Sequence, residues 1–265
     1  MRIAIAGAAG RMGRTLVEGV LRSRDLELAA ALEVAGHPQL GKDAGETLGT
    51  SCGVKIGADV AEAVKAADCI IDFTRPEATV ANVAACVAAG KRAVIGTTGF
   101  TPAQRAGIDA AARRVPIVMA PNFAVGVNVV LRLAEVAAEI LGDDYDVEIV
   151  EAHHRHKVDA PSGTALRLGE VIAAALGRDL KSCAVYGREG ITGERGAGTI
   201  AFHAIRGGDI VGEHTVIFAG EGERVEVTVK SGNRMTYAMG ALRAARWLAD
   251  RDPGLYDMFD VLALR

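Results

Sequence analysis

Arg2-Ile3-Ala4-Ile5-Ala6-Gly7-Ala8-Ala9-Gly10-Arg11-Met12-Gly13 is the stretch whose reading decides the fold. A short apolar run suited to a buried strand breaks into glycines at positions 7, 10 and 13, and a helix-forming segment follows. A turn of this kind bends tightly and lets the backbone approach a pyrophosphate without a Cβ in the way. It also aims the positive end of the next helix at the phosphates. Glu33 stands twenty positions beyond Gly13, at the end of the next apolar run, where a carboxylate can accept hydrogen bonds from an adenosine ribose. The alternative, a small-residue turn chosen only for close helix–sheet packing, leaves the position of that acid unexplained.

Outward from the turn, the first 123 residues alternate short apolar runs with Ala-rich segments. Strands are expected at Arg2–Ala6, Leu26–Leu32, Cys69–Phe73, Ala93–Ile95 and Ile117–Met119. Helices are expected at Gly13–Arg22, Val60–Ala66, Pro76–Ala89 and Pro102–Arg113. Such alternation calls for a parallel α/β sheet, and chemistry in such sheets gathers outside the carboxyl ends of the strands. Those ends carry Gly7 to Gly13, Glu33, Asp72-Phe73-Thr74, Gly96-Thr97-Thr98-Gly99 and Ala120-Pro121-Asn122-Phe123. They predict one continuous crevice.

After Phe123 the pattern changes. Helical spacing over Ala124–Leu141 leads to a strand at Tyr145–Ala152 and a helix at about Gly163–Leu176. Val185–Gly198, with five glycines, reads as a mobile loop. Strand-like runs follow at Thr199–Arg206, Ile210–Phe218 and Arg224–Lys230, separated by Gly207-Gly208-Asp209 and Gly220-Glu221-Gly222, which read as hairpin turns. The last helical run, Thr236–Ala249, is expected to return to the first domain. The fold class is thus α/β: a Rossmann-like parallel-sheet cofactor domain over residues 1–124, rejoined by 234–265, plus an α+β domain with a mostly antiparallel sheet over 125–233.

Composition narrows the function classes. Half of the 265 residues are hydrophobic and 24% are charged, which fits a globular chain and excludes a disordered or collagenous one. A formal charge of −3 offers no nucleic-acid or anionic-membrane surface. Cys52, Cys69, Cys86 and Cys183 form no CxxC pair and read as reduced thiols. The N-terminal apolar run is too short for a signal peptide, so a cytoplasmic location is expected.

His153-His154-Arg155-His156-Lys157 is the second informative run. An imidazole suits proton transfer near neutral pH, and cations suit carboxylates. Ser162 or Thr164 can cap the helix that follows Pro161, whose free N–H groups make an anion site. Together they read as a pocket for a substrate with more than one carboxylate. A solvated basic loop is the plainer alternative. Metal is set aside, because neighbouring strand residues face opposite ways and converge poorly on one ion.

With both motifs in view, the chain resembles the dihydrodipicolinate reductase (4-hydroxy-tetrahydrodipicolinate reductase) family over essentially its whole length. The resemblance is carried by Gly7 to Gly13, Asp72-Phe73-Thr74, Gly96 to Gly99, Ala120 to Phe123, Asn233 to Thr236 and, above all, Glu151 to Ala165. It implies NAD(P)H-dependent reduction in the diaminopimelate route to lysine. It implies His153 as acid/base residue, Lys157 as proton donor, and His154 with the Gly163-Thr164 backbone as holders of the substrate carboxylates. Gly7, Ala8, Ala9, Gly10, Arg11, Met12, Glu33, Gly96, Thr97, Thr98, Ala120, Pro121, Asn122 and Phe123 would hold the dinucleotide. A homotetramer built through the second sheet, and a hinge, are implied as well. Val34 stands where NADPH-favouring members carry Arg, so NADH is expected to serve at least as well as NADPH. The competing readings are another two-domain NAD(P)-dependent dehydrogenase of small acids and a non-catalytic dinucleotide sensor.

Overall fold

A computed structural model describes all 265 residues, which form two compact units: Met1–Val125 with Arg234–Arg265, and Gly126–Asn233. The first unit begins with β1 (Arg2–Ala6), α1 (Arg11–Leu21), β2 (Glu27–Leu32), β3 (Ile56–Gly57), α2 (Val60–Ala66) and β4 (Cys69–Asp72). It continues through α3 (Pro76–Ala89), β5 (Arg92–Ile95), α4 (Pro102–Ala112) and β6 (Pro116–Met119). The second unit takes most of α5 (Val125–Leu141), then β7 (Asp146–His153), α6 (Gly163–Ala175), α7 (Leu180–Cys183) and β8 (Ala184–Tyr186). It ends with β9 (Ile200–Arg206), β10 (Gly212–Ala219) and β11 (Arg224–Ser231). The chain returns to the first unit as α8 (Met235–Trp247), β12 (Gly254–Tyr256) and α9 (Met258–Leu262).

The first sheet is parallel throughout, in the order β12-β6-β5-β4-β1-β2-β3. Its central strands are buried on both faces, which is why Ile3, Ile5, Ile70, Ile71, Val94 and Ile117 run without polar alternation. One face packs on α1 and α8, with Leu16, Val17 and Val20 meeting Ala238, Ala241 and Leu242 in a single core. The other packs on α2, α3 and α4 through Val64, Val83, Cys86 and Ile108. Burial raises the pKa of the Cys69 thiol and pushes that of Cys86 up to about 12, so both behave as small apolar side chains. Arg92 anchors the returning segment by donating to the Leu248 and Ala249 carbonyls.

The second sheet has the order β11-β10-β7-β9-β8. β10 is antiparallel to both β7 and β11, whereas β9 is parallel to β7 and to β8. Two sequence expectations change here. The connection at Gly207–Asp209 is not a hairpin, because β7 lies between β9 and β10. That loop crosses the end of β7, where the Gly207 N–H donates to the His153 carbonyl and the Arg155 N–H to the Gly208 carbonyl. The expected loop over Val185–Gly198 also starts later, since β8 pairs with β9 and Tyr186 stacks on Phe202. β3 and β12 were invisible to periodicity, being two and three residues long.

Candidate functional sites in the two units

In the first unit, the expected coenzyme residues gather at the carboxyl ends of β1, β2, β4, β5 and β6, around the point where strand order reverses beside β1. Gly7 holds φ +66°, and a Cβ on Gly13 would lie 2.0 Å from the Gly7 carbonyl oxygen. Both positions therefore require glycine. Gly10 is the N-cap of α1 and provides no side-chain cap, so that helix end presents backbone. The Glu33 carboxylate accepts from the Ala9 N–H at 3.0 Å and the Val34 N–H at 3.1 Å, which puts the acid against the glycine turn. Val34 itself is 65% exposed.

The neighbouring strand ends are tied by a polar network that sequence reasoning missed. Buried Asp72 accepts from the Thr74 N–H and hydroxyl and from the Asn82 amide, at 2.6 to 2.8 Å. Thr79 donates to Thr97 at 2.8 Å, and Thr97 lies 3.4 Å from Asp72. Thr97 is thereby fixed beside exposed Thr98. Phe123, fully buried, packs its ring 5.4 Å from Phe73 and braces the Ala120 to Asn122 segment. These residues fit a dinucleotide: a glycine turn with no room for side chains, an uncapped helix start, and a carboxylate at the turn.

In the second unit, β7 alternation points Glu151 and His153 to the same face. Glu151, 1% exposed, accepts from His153 Nδ1 at 2.6 Å and from the Ser162 N–H at 3.1 Å. Arg206, at the end of β9, grips it with two further bonds of 2.7 and 2.6 Å. Burial alone would raise the Glu151 pKa, but the Arg206 and His153 hydrogen bonds prevail and leave it below the ordinary range. For His153, burial lowers the pKa, and the opposing pull of Glu151 does not restore it, with Lys157 and Arg206 adding to the depression. A neutral imidazole at physiological pH is the consequence.

Of the two candidate caps, Ser162 takes the role: its hydroxyl accepts the Ala165 N–H at 3.2 Å. Its Oγ also lies 3.0 Å from His214 Nε2. His214 is 4% exposed, and burial, reinforced by repulsion from His153 whenever that ring is protonated, pushes its pKa down to about 4. Its ring stands edge-on to that of His153, centroids 5.2 Å apart. Lys157 donates to both oxygens of Asp159, at 2.7 and 2.8 Å. His154 buries Nδ1 without a hydrogen-bond partner. Gly163 and Thr164 open α6 directly after Ser162. Thus His153, Lys157, Ser162 and the α6 start share one hydrogen-bonded frame. Glu151 opens the run that carries the resemblance, though nothing local marks it as a site residue, whereas Arg206 and His214 had no signal of their own and reach the site only through sheet register.

Comparison with known proteins agrees over the whole chain. Residues 1–123 match the family model described as dihydrodipicolinate reductase, N-terminus, and residues 126–262 match that described as dihydrodipicolinate reductase, C-terminus. A 4-hydroxy-tetrahydrodipicolinate reductase of Aromatoleum aromaticum is 62% identical, over 100% of this chain and 96% of its own. One from Cupriavidus necator is 60% identical, over 100% of both. Among solved structures, a dipicolinate-bound dihydrodipicolinate reductase from Paenisporosarcina sp. TG-14 superposes with a TM-score of 0.78 at 26% identity, covering 98% of each chain.

Proposed function

The chain belongs to the dihydrodipicolinate reductase family, and from that premise we propose that it reduces 4-hydroxy-tetrahydrodipicolinate to tetrahydrodipicolinate in the diaminopimelate route to lysine. The observation that carries this reading is the frame joining His153, Lys157 and the α6 start, in a chain alike end to end to reductases of that name.

The bound coenzyme, NADH or NADPH, supplies the hydride. Gly7 to Met12 would cradle its pyrophosphate, Glu33 its adenosine ribose, and Gly96 to Thr98 with Ala120 to Phe123 the remainder. The chain's other residues handle charge and protons. The Gly163 and Thr164 N–H groups, at the positive end of α6, would take one substrate carboxylate, and His154 would help hold the other. Loss of water from the hydroxylated imine leaves a conjugated imine that accepts hydride at ring C4. The resulting enamine then takes a proton, for which Lys157 is the donor and His153 the acid/base residue. Lys157 leaves Asp159 for the substrate at small cost, since Asp159 is largely exposed and Lys157 exchanges one ion pair for another.

Turnover is read as loss of nicotinamide absorbance with substrate freshly generated by its synthase. Oxidation of coenzyme only when that substrate is present supports the assignment. Coenzyme binding with no turnover would support the sensor reading instead. With Val34 in place of a phosphate-binding Arg, kcat/KM for NADH should at least equal that for NADPH, and a preference for NADPH of about a hundredfold would overturn this. We place the enzyme in the cytoplasm as a homotetramer. The half-exposed face of the second sheet, bearing Val150, Thr215, Ile217 and Thr228, is the contact we assign to it. Sedimentation of a single-chain species at micromolar concentration would refute the assembly.

A further inference from the structure

We propose that Glu151 and Arg206 act as a positioning pair for both proton-transfer residues, fixing His153 as the Nδ1–H tautomer and holding the loop that carries Lys157. The proposal rests on the acid/base reading of His153 given above. His153 and Arg206 are direct partners in the parallel β7–β9 register, so the guanidinium and the imidazole emerge side by side on one face. Between them lies Glu151, two residues back on β7. Its carboxylate accepts four hydrogen bonds: two from Arg206, one from the Ser162 N–H, one from His153.

A carboxylate facing a bidentate guanidinium stays ionised and can only accept. The proton in the 2.6 Å contact must then sit on His153 Nδ1. That leaves Nε2 as the atom free to give or take a proton. Gly212 keeps this atom clear, because a Cβ there would stand 3.1 Å from Nε2. Arg206 reaches further. Its Nη2 donates to the Asp159 carbonyl at 2.7 Å, and the Asp159 carboxylate holds Lys157. One guanidinium therefore braces the imidazole through Glu151 and, through the Asp159 carbonyl, the backbone of the loop that carries Lys157. The charged and titratable groups around His153 are Glu151, Arg206, Lys157, Asp159 and His214. Only Glu151 bonds to its ring.

The test uses the full-length chain. In the wild type, nitrogen NMR of the imidazoles should show neutral His153 with its proton on Nδ1, and a majority of the Nε2–H form overturns the proposal. Glu151→Ala should lower kcat about a hundredfold while KM and coenzyme affinity move by less than about threefold, and Glu151→Gln, which keeps an acceptor, should recover part of that loss. In a His153→Ala background, Glu151→Ala should cost nothing further. A raised KM with unchanged kcat, or the same loss in both backgrounds, makes Glu151 merely structural and overturns the role. If Glu151→Ala does not fold, the wild-type tautomer and Glu151→Gln still decide. Should His153→Ala keep full kcat, the acid/base assignment falls, a result distinct from the tautomer that tests the clamp.

Discussion

At His153 the protein places a neutral imidazole against a buried, ionised carboxylate, so a proton can enter at Nε2 while Nδ1 stays tied. Under the roles proposed, His153→Ala should lower kcat by about a hundredfold or more with KM little changed, whereas Lys157→Ala should damage both. Steady-state kinetics with both substrates check this, and small, equal effects would count against the assignments. His214 makes a separate prediction. An unfolded imidazole titrates near 6.5, but the folded one only at about 4. Between those values the unfolded chain binds a proton that the folded chain refuses. Stability is therefore full above about pH 6.5 and falls as pH drops towards 4, by on the order of 3 kcal/mol. The depressed His153 pKa acts in the same direction. Urea midpoints measured across that interval should slope less steeply for His214→Asn than for the wild type, and an unchanged slope would remove His214 from the account.

Among the elements, the β1–α1 turn and the α6 start would, under the proposed roles, do the same physical work with different means. The first presents uncapped backbone at a helix end because Gly10 has no side chain to offer. The second uses Ser162 to take the Ala165 N–H, leaving the preceding residues at the helix mouth. The glycine turn tolerates no added carbon at Gly13, where the nearest atom is backbone and cannot swing aside. Gly13→Ala should destabilise the chain by roughly 1–3 kcal/mol and weaken coenzyme binding at least about tenfold. Thermal unfolding and a fluorescence titration with NADH measure the two effects. Wild-type affinity in a folded Gly13→Ala protein would show that the turn does not touch the coenzyme.

For the whole molecule, the decisive feature is the return of the last 32 residues, Arg234 to Arg265, to the first unit. Leu242, Leu248, Met258 and Val261 are buried in the same core as Leu16 and Val20, and Arg246 pairs with Asp25. Each large side chain contributes roughly 1.5–3 kcal/mol by burial, and four of them rival the whole stability of a typical domain. A chain ending at Asn233 should therefore lose cooperative unfolding of its first unit and bind dyes that recognise exposed apolar surface. Retention of a sharp transition and of coenzyme binding would contradict this.

Much of this was legible from one dimension. Local signals need only neighbours in sequence, so the strands β1, β2, β4, β5 and β6, the helices between them and the glycine turn could be read from apolar runs, glycines and prolines. Pairing is a different matter. Nothing in Gly207-Gly208-Asp209 says whether its flanking strands touch, and only the packed sheet shows β7 inserted between them. The same insertion brings Arg206 and His214 to Glu151, from 55 and 63 positions away in the chain. A buried charge is stable only where its partners converge. Which partners converge depends on register across the sheet, a property of the folded chain and of no segment within it.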